Sequence, residues 1–536
     1  MFGKYRVRLW WCAAASAAVM ALWTAAAATA AEQEKSRQVT LDPPRSVDLR
    51  SAPEIPAVPR PADLVTNRPT MPMADYIAAK SAAAARQTPE QSRPDAAAPP
   101  PATGVSLAVQ VPGANEAQTT GGNQFPPDAD IATSKDWMVQ VTNDQVVMYN
   151  WNTNAYKQVN LNTFFGSSFF YFHAPRVIHD PYWDRFVVYA TGCNPCSGSS
   201  SHSGTFIGVS RTGDPSGAWW LWYACCYDPG FVVDFPQLGM DHDAVIVTYN
   251  VFTNNAFFWS VLQAYYKAKI YNGIGGAQGS SWSGWTCSMA PPYVLDNNPV
   301  SYVLSFCPGA KSVAIGSLTN SGRWNANLNL PDNTVDVTHN GLPPDASQPG
   351  TSYTLATGDN RFENRSLQVG NRIINTATIN DGNLPTPALY TFDIGASPHT
   401  LVSDGVFFAS GTSFDWHPSI VANTVAAPSG TPLGEVFVTW MSTDPNHNVN
   451  LQLRAGGGLG DNPSIGSGIP VFTSPQPLTG QTDASGVHRS GDYTSITTYP
   501  AAAQGCQADE VGLLTGEVAA ATAGLWATRV GIVKHC

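Results

Sequence analysis

The chain has 536 residues and a net charge of −11, with only 12% of residues charged and sixteen Trp among them. That length gives room for one large domain of about 410 residues plus an N-terminal extension, and the polar but weakly ionic composition is common in extracellular β proteins. No basic run occurs beyond the first eight residues, so nucleic acid and anionic membrane surfaces are excluded as expected partners.

Lys4, Arg6 and Arg8 precede an apolar stretch over residues 9–28, and Ala28-Thr29-Ala30 supplies a small-x-small cleavage site. Residues 1–30 therefore read as a secretory signal peptide, which makes the mature protein exported and free of the membrane after cleavage. Residues 31–124 are dense in Pro, Ala, Ser and Gln, as in RPDAAAPPPATG, with few aromatics. Such a segment cannot bury enough apolar surface to offset the entropy of ordering, and reads as a largely disordered stalk. Within it, MADYIAAKSAAAARQ from Met73 is Ala-rich enough for a helix, either a transient one in a tether or a pro-segment docked on the domain.

From residue 125 to 536 a strand–turn–strand phrase recurs at intervals of very roughly forty to seventy-five residues. It reads WMVQVTNDQVVMYNW from Trp137, RVIHDPYWDRFVVYA from Arg176, QLGMDHDAVIVTYNVF from Gln237, SFCPGAKSVAIGSL from Ser305 and SLQVGNRIINTATI from Ser366. Looser copies begin at Pro418 and Tyr493. Each is a short apolar run, a turn rich in Asn, Asp and Gly, and a second apolar run, the sequence form of an antiparallel hairpin. Repeats of that size built from strands imply an all-β fold, a single β-propeller of seven blades, or six, with the last blade closed by a strand from near Asp130.

Of nine cysteines, Cys12 falls in the signal peptide and eight remain, an even number that in an exported chain points to disulfides. Proximity pairs Cys287 with Cys307 and Cys506 with Cys536, and leaves Cys193 and Cys196 to join the adjacent Cys225 and Cys226. A four-cysteine zinc site is the competing reading, at an awkward spacing.

The common hydrolase, zinc-protease, nucleotide and EF-hand motifs are absent. Instead, acidic and basic residues sit beside the strands in comparable places: Asp128 and Asp130, His179 and Asp180, Asp234, Asp359, Arg361 and Glu363, Asp415 and His417, and Arg489, Asp492 and Tyr493. If these phrases mark equivalent ends of successive blades, their side chains converge at one mouth of the central channel. Glycoside hydrolysis needs a carboxylic acid to protonate the leaving oxygen and a second carboxylate as nucleophile or base. Elimination from a uronate needs a base such as His or Tyr and a cation at the substrate carboxylate. The catalytic candidates are Asp234, Glu363 and Asp492; the substrate-binding candidates are Arg361, Arg489, Tyr493, Asp180 and His179. Asp180 and Asp184 read equally as turn residues, Arg361, Glu363 and Arg365 as one face of a strand, and His417 as a packed histidine. The run AWWLWYACC, with Trp219, Trp220, Trp222 and Tyr223, is either a sugar-stacking surface or a strand buried on both faces.

The phrases PRVIHDPYWDRFVV, GVSRTGDPSGAWWLWY, DFPQLGMDHDAVIVTYN, GDNRFENRSLQ and SGDYTSIT resemble those of secreted, largely uncharacterised bacterial proteins with sialidase-like or related β-propeller domains. The resemblance covers about residues 125–536 and implies fold and secretion. It brings no activity, because no intact S-x-D-x-G-x-x-W box is present and no arginine triad or tyrosine nucleophile is carried over. The expectation is a secreted, monomeric propeller directed at an extracellular glycan or cell-wall polymer, as a glycoside hydrolase or lyase; a non-catalytic binding or adhesion propeller is the alternative. No cofactor is implied. A structural calcium ion would suit the many Asp and Asn residues, but no ligand spacing marks a site for it.

Overall fold

The seven hairpin phrases all fold as antiparallel strand pairs. They are Trp137–Val141 with Gln145–Asn150, Tyr171–Asp180 with Arg185–Cys193, Phe231–Met240 with Ala244–Thr253, Val300–Phe306 with Ser312–Thr319, Ser366–Val369 with Arg372–Asp381, Phe414–Ala422 with Glu435–Asp444, and Ser495–Thr498 with Val511–Ala519. Local chemistry makes the turns: Asp184 and Gly370 take positive φ where the chain reverses, a conformation tolerated by Asp and free of cost to Gly. The computed structural model describes residues 36–59, 68–88, 93, 105–118, 126–227, 229–423, 430–480, 487–499 and 511–534, without the side chains of Cys225, Cys226 and Ala277. The signal peptide lies outside the described residues.

The strands form an all-β propeller. Five of its sheets are separate blades of four or five strands, and the remaining strands form one ten-stranded sheet. The expected seven blades, or six, are thus corrected to five discrete ones. Two hairpin copies share the tenfold sheet because Pro292–Val294 lies parallel to both Phe231–Met240 and Ser366–Val369 and bonds the two meanders together. Gly239 permits this approach, since a Cβ there would collide with the Pro292 carbonyl. Aromatic and β-branched side chains from facing sheets fill the spaces between them. One such cluster packs Phe437, Trp440 and Leu453 against Leu514 and Val533.

The ring closes differently from expectation. Asp130–Thr133 opens the first sheet by pairing with Trp137–Val141, while the last sheet takes its outer strand from Ser106–Asn115, which pairs with Trp526–Lys534. Ile131 and Met138 then pack on Val511, Leu513, Val530 and Ile532, joining the last sheet to the first.

The stalk expectation is corrected over the described part of residues 31–124. Arg37–Leu41 extends one sheet edge by pairing with Gly276–Trp285, and Arg45–Asp48 pairs with Ala218–Tyr227. The alternation that drives this is short: Val39 and Leu41, then Val47 and Leu49, all buried. Each burial is worth about 1.5–3 kcal/mol, enough to offset the ordering of a few residues on a preformed edge. The Met73–Ala84 helix is docked, with Tyr76, Lys80 and Ala83 buried.

Cys287 and Cys307 are bonded, as expected. Cys193 instead bonds Cys196 within its own loop, at a Cα separation of 4.9 Å, which corrects the pairing to Cys225 and Cys226. Strand Ser203–Ser210 lies between Arg185–Cys193 and Ala218–Tyr227, so the latter two are separated by about 10 Å, beyond the reach of a disulfide. Cys506 and Cys536 lie outside the described residues.

Candidate functional site at the channel mouth

The innermost strands share a device that the hairpin pattern does not reveal. Ala174, Phe235 and His417 each take positive φ, each precedes a proline, and each sits in a bulge where the ladder skips a register. A residue with a Cβ in that conformation carries a cost of order 1–3 kcal/mol, retained where surrounding contacts over-determine it. Proline suits the bulge because it has no N–H to leave unpaired. Asp128 and Gly491 also take positive φ, shortly before strands Asp130–Thr133 and Ser495–Thr498. The bulges turn the flanking side chains inward, so residues from several sheets meet at one end of the channel.

A ring of hydrogen bonds shows the convergence. Arg176 donates to the carbonyls of Pro236 and Glu363 and to Asn364 Oδ1 at 2.8–3.0 Å, and its guanidinium lies 3.2 Å from the Tyr493 ring centroid. Gln237 donates to the same Glu363 carbonyl, Asn364 to the Pro418 carbonyl, and Thr494 Oγ1 to the His417 carbonyl. The Asp492 N–H donates to Asp128 Oδ1, and Asp130 accepts from the Val177 N–H. Five sheets are stitched together by these bonds.

Around this ring stand the expected catalytic carboxylates. Asp234 pairs with Arg68 at 2.7 Å and lies 3.7 Å from His173. Burial pushes its carboxyl up, but His173 and Arg68 outweigh that and hold it below the usual range. Glu363 Oε1 pairs with His417 Nδ1 at 2.9 Å and accepts from Thr378 at 3.2 Å, while Glu363 Oε2 and His417 Nε2 are buried with no hydrogen-bond partner among the described residues. Burial raises the Glu363 carboxyl, against the pull of His417. Asp492 pairs with Arg489. Asp128, beside it, is pushed up to about 7 by burial and by the Asp492 charge.

Arg361 pairs with Asp359, and its guanidinium lies 4.4 Å from the Phe235 ring centroid. Residues 361–365 precede strand Ser366–Val369, so they form an irregular approach to it rather than the expected strand face. Tyr493 is buried under Arg176 with its hydroxyl unpartnered among the described residues, and burial drives its pKa well up against the pull of Arg176, which disfavours its ionised form.

Asp180 and His179 do not join this mouth. Both residues end strand Tyr171–Asp180, and the His179 carbonyl accepts from Tyr293, which stands opposite Met240 at the far end of the strand that holds Asp234. Asp180 is consumed by the fold: it pairs with Lys267 at 2.6 Å, accepts from Tyr271 and caps the turn at Tyr182. His179 pairs with Asp184 on the wall of a cleft of about 780 Å³ that also includes Trp137, Tyr293 and Thr497. Beside it a cavity of about 10 Å³ lies against Ile178, Arg365 and Ile496, at the lower limit of what one water needs. Trp219 and Trp222 are buried, favouring the packed-strand reading, although Tyr223 is exposed.

Sequence reasoning missed Arg176, His173 and Glu517. The inner-strand phrases HAPR, DFPQ and WHPS carried a signal, a residue-Pro step before an inward polar side chain. Glu517 left none; both its carboxylate oxygens are buried and unpartnered among the described residues, and burial and Asp128 raise its pKa well above normal. Arg68 and Thr70, which cover the mouth, lay in the segment read as a stalk. No cluster of three or more metal-binding side chains occurs among the described residues.

No family model matches the chain, and no curated protein does. Similar solved structures include an exo-β-1,3-galactanase from Phanerochaete chrysosporium in complex with β-1,3-galactotriose, at 13% identity over 63% of this chain and 81% of that chain, with a TM-score of 0.28. An exo-β-1,3-galactanase from Clostridium thermocellum is 10% identical over 79% and 99%, with a TM-score of 0.28. A protein of unknown function from Dyadobacter fermentans is 8% identical over 81% and 100%, with a TM-score of 0.37. Likenesses this distant carry no argument about what the chain acts on.

Proposed function

We propose that the chain is a secreted β-propeller that cleaves an extracellular glycan at the mouth where its inner strands begin, using Asp234, Glu363 and Asp492 with Arg361 and Arg489. The observation that carries this reading is that one guanidinium, Arg176, bonds the carbonyls of Pro236 and Glu363, holding the segments of Asp234 and Glu363 together at one mouth, where their carboxyl groups are displaced in opposite directions. Glu363 is raised by burial and Asp234 is lowered by His173 and Arg68. Pairs whose surroundings drive their pKa values apart are the groups suited to acid and anion roles. Glu363 is the proton donor in this scheme, Asp234 the ionised partner, and the two arginines bind sugar oxygens. Hydrolysis fits better than elimination, because the Tyr493 phenol is held neutral and His179 lies at the other mouth.

A non-catalytic binding propeller is the second reading. It is favoured by one observation: each of the three carboxylates already faces its own basic side chain, Arg68, His417 or Arg489.

The test is release of reducing ends from a panel of cationic, neutral and acidic polysaccharides by the full chain, with absorbance of unsaturated uronates followed in parallel. Glycan cleavage without absorbance, lost at least about a hundredfold in Glu363→Gln, is the expected result. Binding of a glycan with no cleavage by the wild type or Arg68→Ala would establish the second reading.

A further inference from the structure

The residues that fill the mouth come from the chain itself. Arg68 Nη1 reaches Asp234 Oδ2 at 2.7 Å, and the Arg68 carbonyl accepts from Arg361 Nη2 at 3.0 Å. Thr70 gives both its N–H and its hydroxyl to Asp359 Oδ2, at 3.0 and 3.2 Å. The helix that follows lies alongside, with Tyr76 donating to the Gly358 carbonyl and Lys80 pairing with Asp345. Donors to two carboxylates and an acceptor for an arginine are the contacts that a polyhydroxylated ligand makes.

Arg68 is poorly suited to a purely structural role. Its Nε and Nη2 are buried with no hydrogen-bond partner among the described residues, although its side chain is only 5% exposed. A guanidinium buried for stability has most of its donors met, as Arg454 does with Nε alone unpartnered among the described residues. Half-satisfied, Arg68 occupies a place shaped for a different group.

We propose that residues 68–70 occupy the mouth as an internal ligand, and that the external ligand they stand in for is a glycan whose protonated amino group takes the place of the Arg68 guanidinium. The proposal rests on the glycan-directed reading above and specifies the class of sugar. If Arg68 leaves, Asp234 keeps the Phe235 N–H and, as its basic neighbour, only His173, whose imidazole burial holds below its usual pKa. An unpaired carboxylate in that position is costly, so a ligand that restores a cation is favoured. A uronate would bring a second anion, and a neutral sugar would leave Asp234 uncompensated. Arg361 and Asp359, freed of residues 68 and 70, then take an acceptor and hydroxyl donors from the same ligand.

The experiment measures binding of glucosamine, N-acetylglucosamine and galacturonate oligomers to the full chain, as wild type, Arg68→Ala and Thr70→Val, with folding checked by thermal melting. Arg68→Ala is expected to bind glucosamine oligomers roughly tenfold to a hundredfold more tightly than the wild type, the factor that one charged hydrogen bond supplies. Thr70→Val moves the same way by a smaller factor, and keeps the test open if Arg68→Ala fails to fold. Adding Asp234→Asn to the Arg68→Ala chain should abolish the preference for the amino sugar. Equal affinity of wild type and variants for glucosamine oligomers, or N-acetylglucosamine oligomers bound as tightly, would overturn the proposal while leaving the glycan reading standing. Failure of folded variants to bind any oligomer would overturn both.

Discussion

Arg93 and Arg68 come from the same Pro- and Ala-rich stretch, and both are buried beside a propeller carboxylate. Arg93 spends its whole fork: it donates to Thr386 Oγ1, to the carbonyls of Pro385, Ser410 and Ser413, and to Asp415 Oδ2, and its guanidinium lies 4.2 Å from the Phe408 ring centroid. Arg68 makes one side-chain hydrogen bond, to Asp234, and buries two further donors without partners among the described residues. The same residue type thus serves as a clamp in one place and as a plug in the other. Burial alone does not distinguish the two; satisfaction of the donors does.

The comparison breaks most readily at the clamp. Arg93→Ala leaves Asp415 fully buried and short of its cation, and should cost about 3–5 kcal/mol by chemical denaturation, the usual effect of removing one partner of a buried pair. Arg68→Ala removes one charged hydrogen bond and two unsatisfied donors, so its cost should be lower, about 1–2 kcal/mol. Equal losses in the two variants would erase the distinction. Lys80→Ala, which removes the 2.9 Å pair with Asp345 and the bond to Thr357 Oγ1, should cost about 1 kcal/mol and raise hydrogen exchange over residues 73–84 without touching Phe414–Ala422.

A further prediction concerns pH. Asp128 rises from 3.8 to about 7 in the folded chain. Between those values the folded chain keeps a proton that the unfolded chain has released, so this contribution to stability is complete below 3.8 and is lost as pH rises through about 7. The melting temperature of Asp128→Asn should therefore fall less between pH 4 and 7 than that of the wild type; parallel curves would show that Asp128 does not set the slope.

What could be read from the sequence followed the range of the interactions. The hairpins were legible because their turns are local: Asn143-Asp144 or Asp184 carries its own instruction. Asp234, Arg361, Glu363, Arg489 and Asp492 lie toward one mouth, whereas His179 and Asp180, picked by the same position beside a hairpin, end at the other, so that position did not by itself assign the mouth. The blade count was not legible, because the join through Pro292–Val294 depends on what Gly239 allows to approach from elsewhere in the chain. The docking of the N-terminal segment was masked by composition: Val39, Leu41, Val47 and Leu49 are too few to signal strands, and matter only because sheet edges await them. His417 read as a packed histidine, and nothing local to it announced the bond to Glu363, fifty-four residues away.

The most direct measurement is hydrogen exchange of the full chain with and without glucosamine oligomers. The account predicts slower exchange around residues 358–365 and 488–493 together with faster exchange over residues 68–84, as ligand displaces the internal one. Protection instead around Trp137, His179 and Asn423, with residues 68–84 unchanged, would place the ligand in the opposite cleft and contradict it.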